Sequence, residues 1–179
     1  MNKIAQFISS IIIFLSFFSC SEKKEYNAEY APIEGIPFNI ETNSAATSSI
    51  VKVFPGCYMF RSDYPQYSAT VNYGLVNIAD SGSIKKVITN HFDKMADRIG
   101  IYESSIMTFR PDSDRIAWIM VTPQCKAPVQ MLTTDSASIA LHATMEFTSP
   151  QTDTAGVIIP AITAIAADME HLLNNLKLH

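Results

Sequence analysis

This chain has little glycine, little cysteine and no excess of positive charge. Only six glycines and three cysteines occur in 179 residues, and no internal repeat or low-complexity stretch is present. The 13 basic residues are outnumbered by 17 acidic ones and form no basic patch, which argues against a nucleic-acid partner. No phosphate loop, dinucleotide fingerprint or Gly-x-Ser-x-Gly elbow occurs. The sequence therefore predicts no catalytic residues, no metal and no cofactor, and we expect a protein that is not an enzyme.

The N-terminus carries the most informative pattern in the chain. Lys3 is followed by an apolar stretch from Ile4 to Phe18, then by Ser19 and Cys20. A basic start, an apolar centre and a small residue near its end are the plan of a secretory signal. The segment resembles a bacterial lipoprotein signal. That resemblance implies that residues 1–19 are removed and that Cys20 becomes the N-terminal residue, acylated by chains such as palmitate.

Two other interpretations of this segment stay open. A transmembrane anchor needs roughly 20 apolar residues, and the run here is only about 15 residues long. An ordinary signal peptide cut at another position would leave Cys20 without a role. On the lipoprotein interpretation the protein lies in the cell envelope, and Ser21 favours the outer membrane, facing the periplasm.

The mature chain is long enough for one domain with its own core. Residues 20–49 begin with a polar tether and continue as an extended, proline-interrupted segment. We expect the globular domain to span residues 50–179.

Alternating and helical apolar patterns predict an α+β fold, a mostly antiparallel sheet packed with two helices in the order β-β-β-α-β-β-β-β-α. The predicted strands are 50–54, 57–61, 69–75, 104–109, 115–121, 129–133 and 138–147. One amphipathic helix follows Asp80 and ends at Gly100, and a second begins near Pro160. Asp135 is expected to cap the tight turn of a hairpin.

Cys57 and Cys125 are the two cysteines that follow Cys20. A disulfide between them would close a loop of about 68 residues and stabilise the fold by roughly 4 kcal/mol. The alternative is a pair of buried, unreactive thiols. We favour the thiols, because spacing alone does not bring two Cβ atoms together.

Several short motifs together resemble the D-type gliding-motility-associated lipoproteins of Bacteroidota. They cover nearly the whole chain and comprise Tyr30, Pro32, Gly35 and Ile40; Cys57, Tyr64-Pro65 and Ala69 to Tyr73; Gln130 to Ser136; and Pro160 with Asp168. The resemblance implies a non-enzymatic accessory or structural lipoprotein of a gliding or type IX secretion apparatus. Its partners are then membrane lipid, through Cys20, and other envelope proteins.

A periplasmic module that binds a small molecule or a glycan is the alternative function. Tyr58, Tyr64, Tyr67 and Tyr73 lie near the second and third predicted strands. They could line a shallow aromatic surface for such a ligand, but we favour core and edge positions for these four rings.

The four histidines offer little chemistry. His142, Thr144 and Glu146 share one face of a strand, but two ligands do not make a metal site, and we expect a polar stripe. His91 fits the apolar face of its helix, and His171 follows Glu170 near the end of the last helix, where the helix dipole favours a positive charge. His179 ends the chain.

Two tripeptides resemble the Asp-(Ser/Thr)-apolar sequon that Bacteroidota use for O-glycosylation of exported proteins. They place a hydroxyl at Ser136 and at Thr154, both in predicted loops, where a bulky sugar is accommodated. Asp135 and Ser136 also suit a tight turn without any sugar.

Overall fold

The computed structural model describes residues 28–36, 38–77, 105–109, 116–123, 126–135 and 138–176, with backbone only for 105–109 and 116. Nine strands and one long helix, α1, are defined within these ranges. The strands are β1 (Tyr30–Pro32), β2 (Glu41–Asn43), β3 (Thr47–Phe54), β4 (Cys57–Tyr64), β5 (Ala69–Asn77), β6 (Ser105–Phe109), β7 (Ile116–Val121), β8 (Val129–Thr134) and β9 (Ile139–Phe147), and α1 spans Ile159–Asn175. A short 3₁₀ turn, Pro65–Tyr67, joins β4 to β5, and a π-helical turn, Thr154–Ile158, leads into α1.

The last seven strands form one antiparallel sheet in the order β3-β4-β5-β9-β8-β7-β6. Gly56 and Asp135 mark the turns of two of its hairpins. Gly56 has a φ of 71° between β3 and β4, a left-handed conformation that glycine adopts without strain. Asp135 accepts hydrogen bonds from the backbone N–H groups of Ser138 (2.8 Å) and Ile139 (2.9 Å). The prediction that Asp135 caps this turn is confirmed.

The main core lies between one face of the sheet and α1. Alternate residues of each strand point to this face, among them Val71, Met131 and Leu141, and all three are buried. The apolar stripe of α1 contributes Ile165 and Leu173 to the same cluster. The segment Thr154–Asn175 is also long and apolar enough to cross a membrane. Because its apolar stripe is buried against the sheet, we treat it as the core helix of a folded domain.

The opposite face of the sheet carries a second, smaller buried cluster of Trp118, Met120 and Leu132. Trp118 and Leu132 are paired across β7 and β8, and therefore share this face. The sequence predicts β7 to be apolar on both sides, and the burial of Ala117 through Met120 confirms it.

The extended segment before the sheet is part of the packed domain. β1 and β2 pair as a small antiparallel sheet of their own. Ile33 and Ile40 lie in the main core, and the Ile33 N–H donates to the Ile40 carbonyl at 2.9 Å. The expected start of the domain near Ile50 is therefore too late, because burying these two side chains against the sheet is more favourable than leaving them in water.

The α+β class and the mostly antiparallel sheet agree with the prediction, but the details differ. The structure has two sheets, because β1 and β2 do not join the large one. The helix expected between Asp80 and Gly100 lies outside the described residues, and α1 is the helix expected at Pro160. The strands β3, β4, β5 and β8 are one to three residues longer than predicted. The extension is largest at β3 and β4, where polar residues continue the ladder.

Candidate functional site

A buried carboxylate on α1 is the centre of the most elaborate polar arrangement in the described structure. Asp168 lies in the apolar stripe of the helix, between Ile165 and Leu172, and only 6% of it is exposed. A buried carboxylate is stable only when several hydrogen-bond donors satisfy it. The residues that donate to Asp168 therefore show which segments of the chain this carboxylate holds together.

The donors to Asp168 come from the other end of the chain. The Tyr30 hydroxyl donates to Oδ1 at 2.9 Å, and Asn43 Nδ2 donates to Oδ2 at 3.1 Å. Tyr30 lies in β1 and Asn43 in β2, so one carboxylate holds both strands of the small sheet against α1. Asn43 also orders its own turn, because its Oδ1 accepts from the Ala45 N–H at 2.9 Å.

His171, one turn further along α1, fastens the same two strands. Its ring stacks on Tyr30 with a centroid separation of 3.4 Å and an interplanar angle of 6°. Its Nε2 lies 3.3 Å from Glu41 Oε2, and Asn175 is its neighbour on the helix. We call Tyr30, Glu41, Asn43, Asp168 and His171 the clasp. These contacts fasten the N-terminal segment to the C-terminal helix.

A chain of hydroxyls continues from the small sheet into the large one. Thr42 Oγ1 lies 2.9 Å from Ser48 Oγ, which lies 2.8 Å from Ser62 Oγ. Ser62 in turn hydrogen-bonds with Tyr73. Each step crosses one strand boundary, from β2 to β5, and the last two residues are buried. The polar contacts thus connect the N-terminal segment to the middle of the sheet.

Asp168 affects the ionisation of two nearby tyrosines. Burial raises the pKa of Tyr73 well above its ordinary value, and the negative charge of Asp168 adds to the rise. The pKa of Tyr67 is raised by the same two causes, burial first and Asp168 second. Both phenols therefore stay protonated to a higher pH than an exposed tyrosine does.

The four tyrosines proposed to form an aromatic surface are divided between core and periphery. Tyr64 and Tyr73 are buried in the main core, and Tyr73 stacks on Phe60 at 4.6 Å. Tyr58 and Tyr67 are half-buried and pack against the same core. The favoured explanation, core and edge positions, is therefore confirmed, and the four rings do not form one open surface. The strand alternation turns Tyr58, Tyr64 and Tyr73 toward the side that α1 covers.

The proposed polar stripe on β9 is present. His142 and Thr144 pair with Gly74 and Asn72 of β5, and Glu146 pairs with Thr70, so the three side chains share one face. Within the described ranges, no group of three or more His, Cys, Asp or Glu side chains is placed to bind a metal ion. His91 and His179 lie outside those ranges.

The His142 ring lies across Gly74, and this contact gives a testable prediction. A Cβ on Gly74 would come within 2.8 Å of His142 Cε1 and closer still to Nε2. We expect Gly74→Ala to destabilise the fold by about 2 kcal/mol, because the ring must leave its position. In a His142→Ala background the same change should cost less than about 1 kcal/mol. Urea unfolding of the four variants checks this, and equal costs in both backgrounds would contradict it.

The cysteines and the sequons are only partly described. Cys57 is half-buried and its thiol is free in the structure, whereas Cys20, Cys125 and Ser136 lie outside the described residues. Thr154 is exposed at the start of the helical segment. Asp153, the first residue of that sequon, caps this segment by accepting from the Gly156 N–H at 2.8 Å. Thr154 is therefore accessible to a modifying enzyme, and its glycosylation stays a prediction.

A second candidate surface lies at the edge strand β3. Ile50, Val51, Val53 and Phe54 of β3 and Met59 of β4 are exposed apolar side chains, with 58% of Val51 and 54% of Val53 in contact with solvent. We call these five residues the apolar edge. Lys52 lies among them, its Nζ 4.4 Å from the centroid of the Phe54 ring. An exposed apolar strand at the edge of a sheet is an interaction surface or an aggregation hazard.

The clasp was not foreseen from the sequence, although one signal was available. Asp168 follows Ile165 and precedes Met169 and Leu172 at helical spacing, so a lone carboxylate occupies an apolar stripe. Such a position requires buried donors. Their identity was not accessible, because Tyr30 is 138 residues away in the chain.

The residues behind the family resemblance mostly serve the fold. Tyr30 and Asp168, from the first and last of its motifs, are hydrogen-bonded to each other. Ile40 is fully buried. Gly35 has a φ of 84°, and a Cβ added to it would lie 3.0 Å from Ile50 Cδ1, so this position suits glycine. Searches with protein-family models and against curated protein sequences gave no match to this chain.

Proposed function

We propose that this protein is a lipid-anchored component of the cell envelope that acts as a non-enzymatic accessory or structural part of a larger assembly. On this proposal Cys20 carries the acyl chains, and the folded domain is a docking piece held close to the membrane. The assembly is of the gliding or type IX secretion kind, which rests on the motif resemblance alone.

The clasp is the observation that carries the proposal. It fixes the chain to the domain from residue 29 onward, since the Ser44 N–H also donates to the Glu29 carbonyl at 2.8 Å. Only the residues from Cys20 to Ala28 then separate the lipidated cysteine from the fold. Fully extended, these nine residues span at most about 32 Å. Such contacts would keep the N-terminal segment folded in a protein that is attached to the membrane through its N-terminal residue.

Acyl labelling in the native host tests the anchor. We expect the wild-type chain to incorporate a labelled fatty acid, and the Cys20→Ala variant to incorporate none, because the thiol is the attachment point. Cys57→Ala is the matched control, since it removes the half-buried thiol of the fold and leaves the signal intact. Label retained by Cys20→Ala, or lost from Cys57→Ala, would overturn the proposal.

The accessory role is tested separately, by affinity capture of the labelled protein from solubilised membranes. Envelope proteins should be recovered in fixed proportion to the wild-type chain. A protein that is acylated but elutes alone as a monomer would keep the anchor and refute the assembly role.

A further inference from the structure

We infer that the apolar edge is a membrane contact, which seats the domain edge-on against a bilayer surface that bears anionic lipids. The inference rests on the proposed function for its choice of a bilayer over a protein partner. The contact itself is testable on protein that carries no acyl chain.

The distribution of the exposed side chains favours a fluid apolar medium. Phe54 and Met59 lie on the face of the hairpin that carries Cys57, whereas Val53 is paired with Tyr58 and points to the other face. Val51 lies at the irregularity between Ile50 and Lys52 and is the most exposed of the set. A rigid partner on one face of the sheet would cover Phe54 and Met59, or Val53, but not all three. A lipid interface surrounds both faces and the turn at once.

The charges along this edge suit an anionic surface. Residues 42–62 contain no aspartate or glutamate and contain Lys52 and Arg61, in a chain where acidic residues outnumber basic ones. Arg61 is paired with Asp63 at 3.1 Å. Within the described part of the chain, Lys52 makes no ion pair and lies beside the apolar side chains. Its ammonium lies over the Phe54 ring, so a cation at headgroup level and an apolar ring below it can contact the membrane together.

The chain enters the fold close to the start of the edge strand. Glu29 is bonded to Ser44, three residues before β3 begins, so the chain enters the fold beside the first residues of that strand. The eight residues of β3 extend over about 26 Å, comparable to the span of the linker to Cys20. An acylated chain thus permits the whole edge to lie along the membrane, and two weak attachments together hold more firmly than either alone.

The depth of this contact is limited by the backbone of β3. Among the strands that the structure describes, it is the outermost and pairs only with β4. Unpaired N–H and C=O groups are costly in hydrocarbon. The edge therefore sits among the headgroups, with the Val51 and Phe54 side chains reaching the boundary of the acyl region.

Vesicle flotation tests the contact with the mature chain carrying Cys20→Ser and no acyl groups. The vesicles contain phosphatidylethanolamine with roughly 30% phosphatidylglycerol, and neutral phosphatidylcholine vesicles serve for comparison. We expect the protein to float with the anionic vesicles. The double variant Val51→Ser/Phe54→Ser should partition about tenfold more weakly, because it loses two inserted apolar groups.

Two further variants distinguish this contact from non-specific adsorption to vesicles, and a folding control distinguishes it from misfolding. Ile159→Ser removes the exposed apolar side chain at the start of α1, which is 45% exposed, and should bind like the parent protein. Lys52→Glu leaves every apolar group in place and should weaken binding to anionic vesicles more than to neutral ones. Thermal melting confirms that each variant is folded.

Three results would overturn the inference. The first is that the parent protein does not float with anionic vesicles. The second is that the double variant floats as well as the parent. The third is that the parent is a dimer which the double variant disrupts, because a second copy of the chain then occupies the apolar edge. Failure here leaves acylation of Cys20 untouched, and failure of acylation leaves this binding measurable, so the two proposals are judged independently.

Discussion

Asp168→Ala should lower the free energy of unfolding by about 3 kcal/mol. The change leaves the Asn43 amide and the Tyr30 hydroxyl without the acceptor that each now uses, at 3.1 and 2.9 Å. Each buried donor that loses its acceptor costs about 1–3 kcal/mol. Because both donors belong to the small sheet, the loss should be concentrated in β1 and β2 rather than shared across the fold.

Two companion variants make this measurement specific. Asp168→Asn keeps one acceptor oxygen and should cost about 1 kcal/mol. Glu170→Ala removes an exposed carboxylate from the same helix and should change stability by less than about 0.5 kcal/mol. Urea unfolding gives the free energies, and hydrogen exchange should rise most at the backbone amides of Tyr30, Ala31 and residues 41–43. If Asp168→Ala costs no more than Glu170→Ala, the clasp does not hold the N-terminal segment.

Alkaline pH should unfold this protein through Tyr73. Its phenol has an ordinary pKa of 10.0, and in the folded state burial and the Asp168 charge raise that pKa. The unfolded chain therefore releases this proton at a lower pH than the folded chain does. The stabilisation is complete below pH 10 and is lost as the pH rises above it, by about 1.4 kcal/mol per pH unit for one proton. The raised pKa of Tyr67 acts in the same direction.

Tyr73→Phe is the variant that isolates this effect. It keeps the ring that stacks on Phe60 and removes the hydroxyl that titrates. The variant should be less stable at neutral pH by about 1 kcal/mol, since the bond to Ser62 is gone. Above pH 10 its stability should fall less steeply than that of the parent. Urea unfolding across this pH range, with tyrosinate absorbance as a second signal, gives both slopes, and identical slopes would show that Tyr73 is not the group responsible.

These two predictions concern the same region, and together they define what the candidate site is. Asp168 is a fastening point for the start of the chain, and its charge is felt by Tyr73 in the middle of the sheet. A change that loosens the clasp should therefore affect both the attachment of the N-terminal segment and the titration of the core. On the proposed function, the lipid anchor at Cys20 is attached to this same segment.

Local patterns in the sequence were sufficient for most of the large sheet and for α1. Strict alternation predicts β5, and apolar residues on both faces predict a covered β7. Helical spacing of apolar residues from Ile162 onward predicts α1. Each of these signals comes from residues that are neighbours in the chain. It shows which face of a strand or helix is buried, but not which other strand or helix packs against that face.

The sequence by itself determined the apolar faces, the turn at Asp135 and the motif set that suggests an envelope lipoprotein. Only the tertiary structure decided that residues 28–49 belong to the domain, that Tyr30 and Asn43 satisfy Asp168, and that the proposed aromatic surface is mostly core. The physical reason is sequence separation. A hydrogen bond between residues 30 and 168 leaves no periodic trace in either segment, because its geometry exists only after the sheet and the helix have packed.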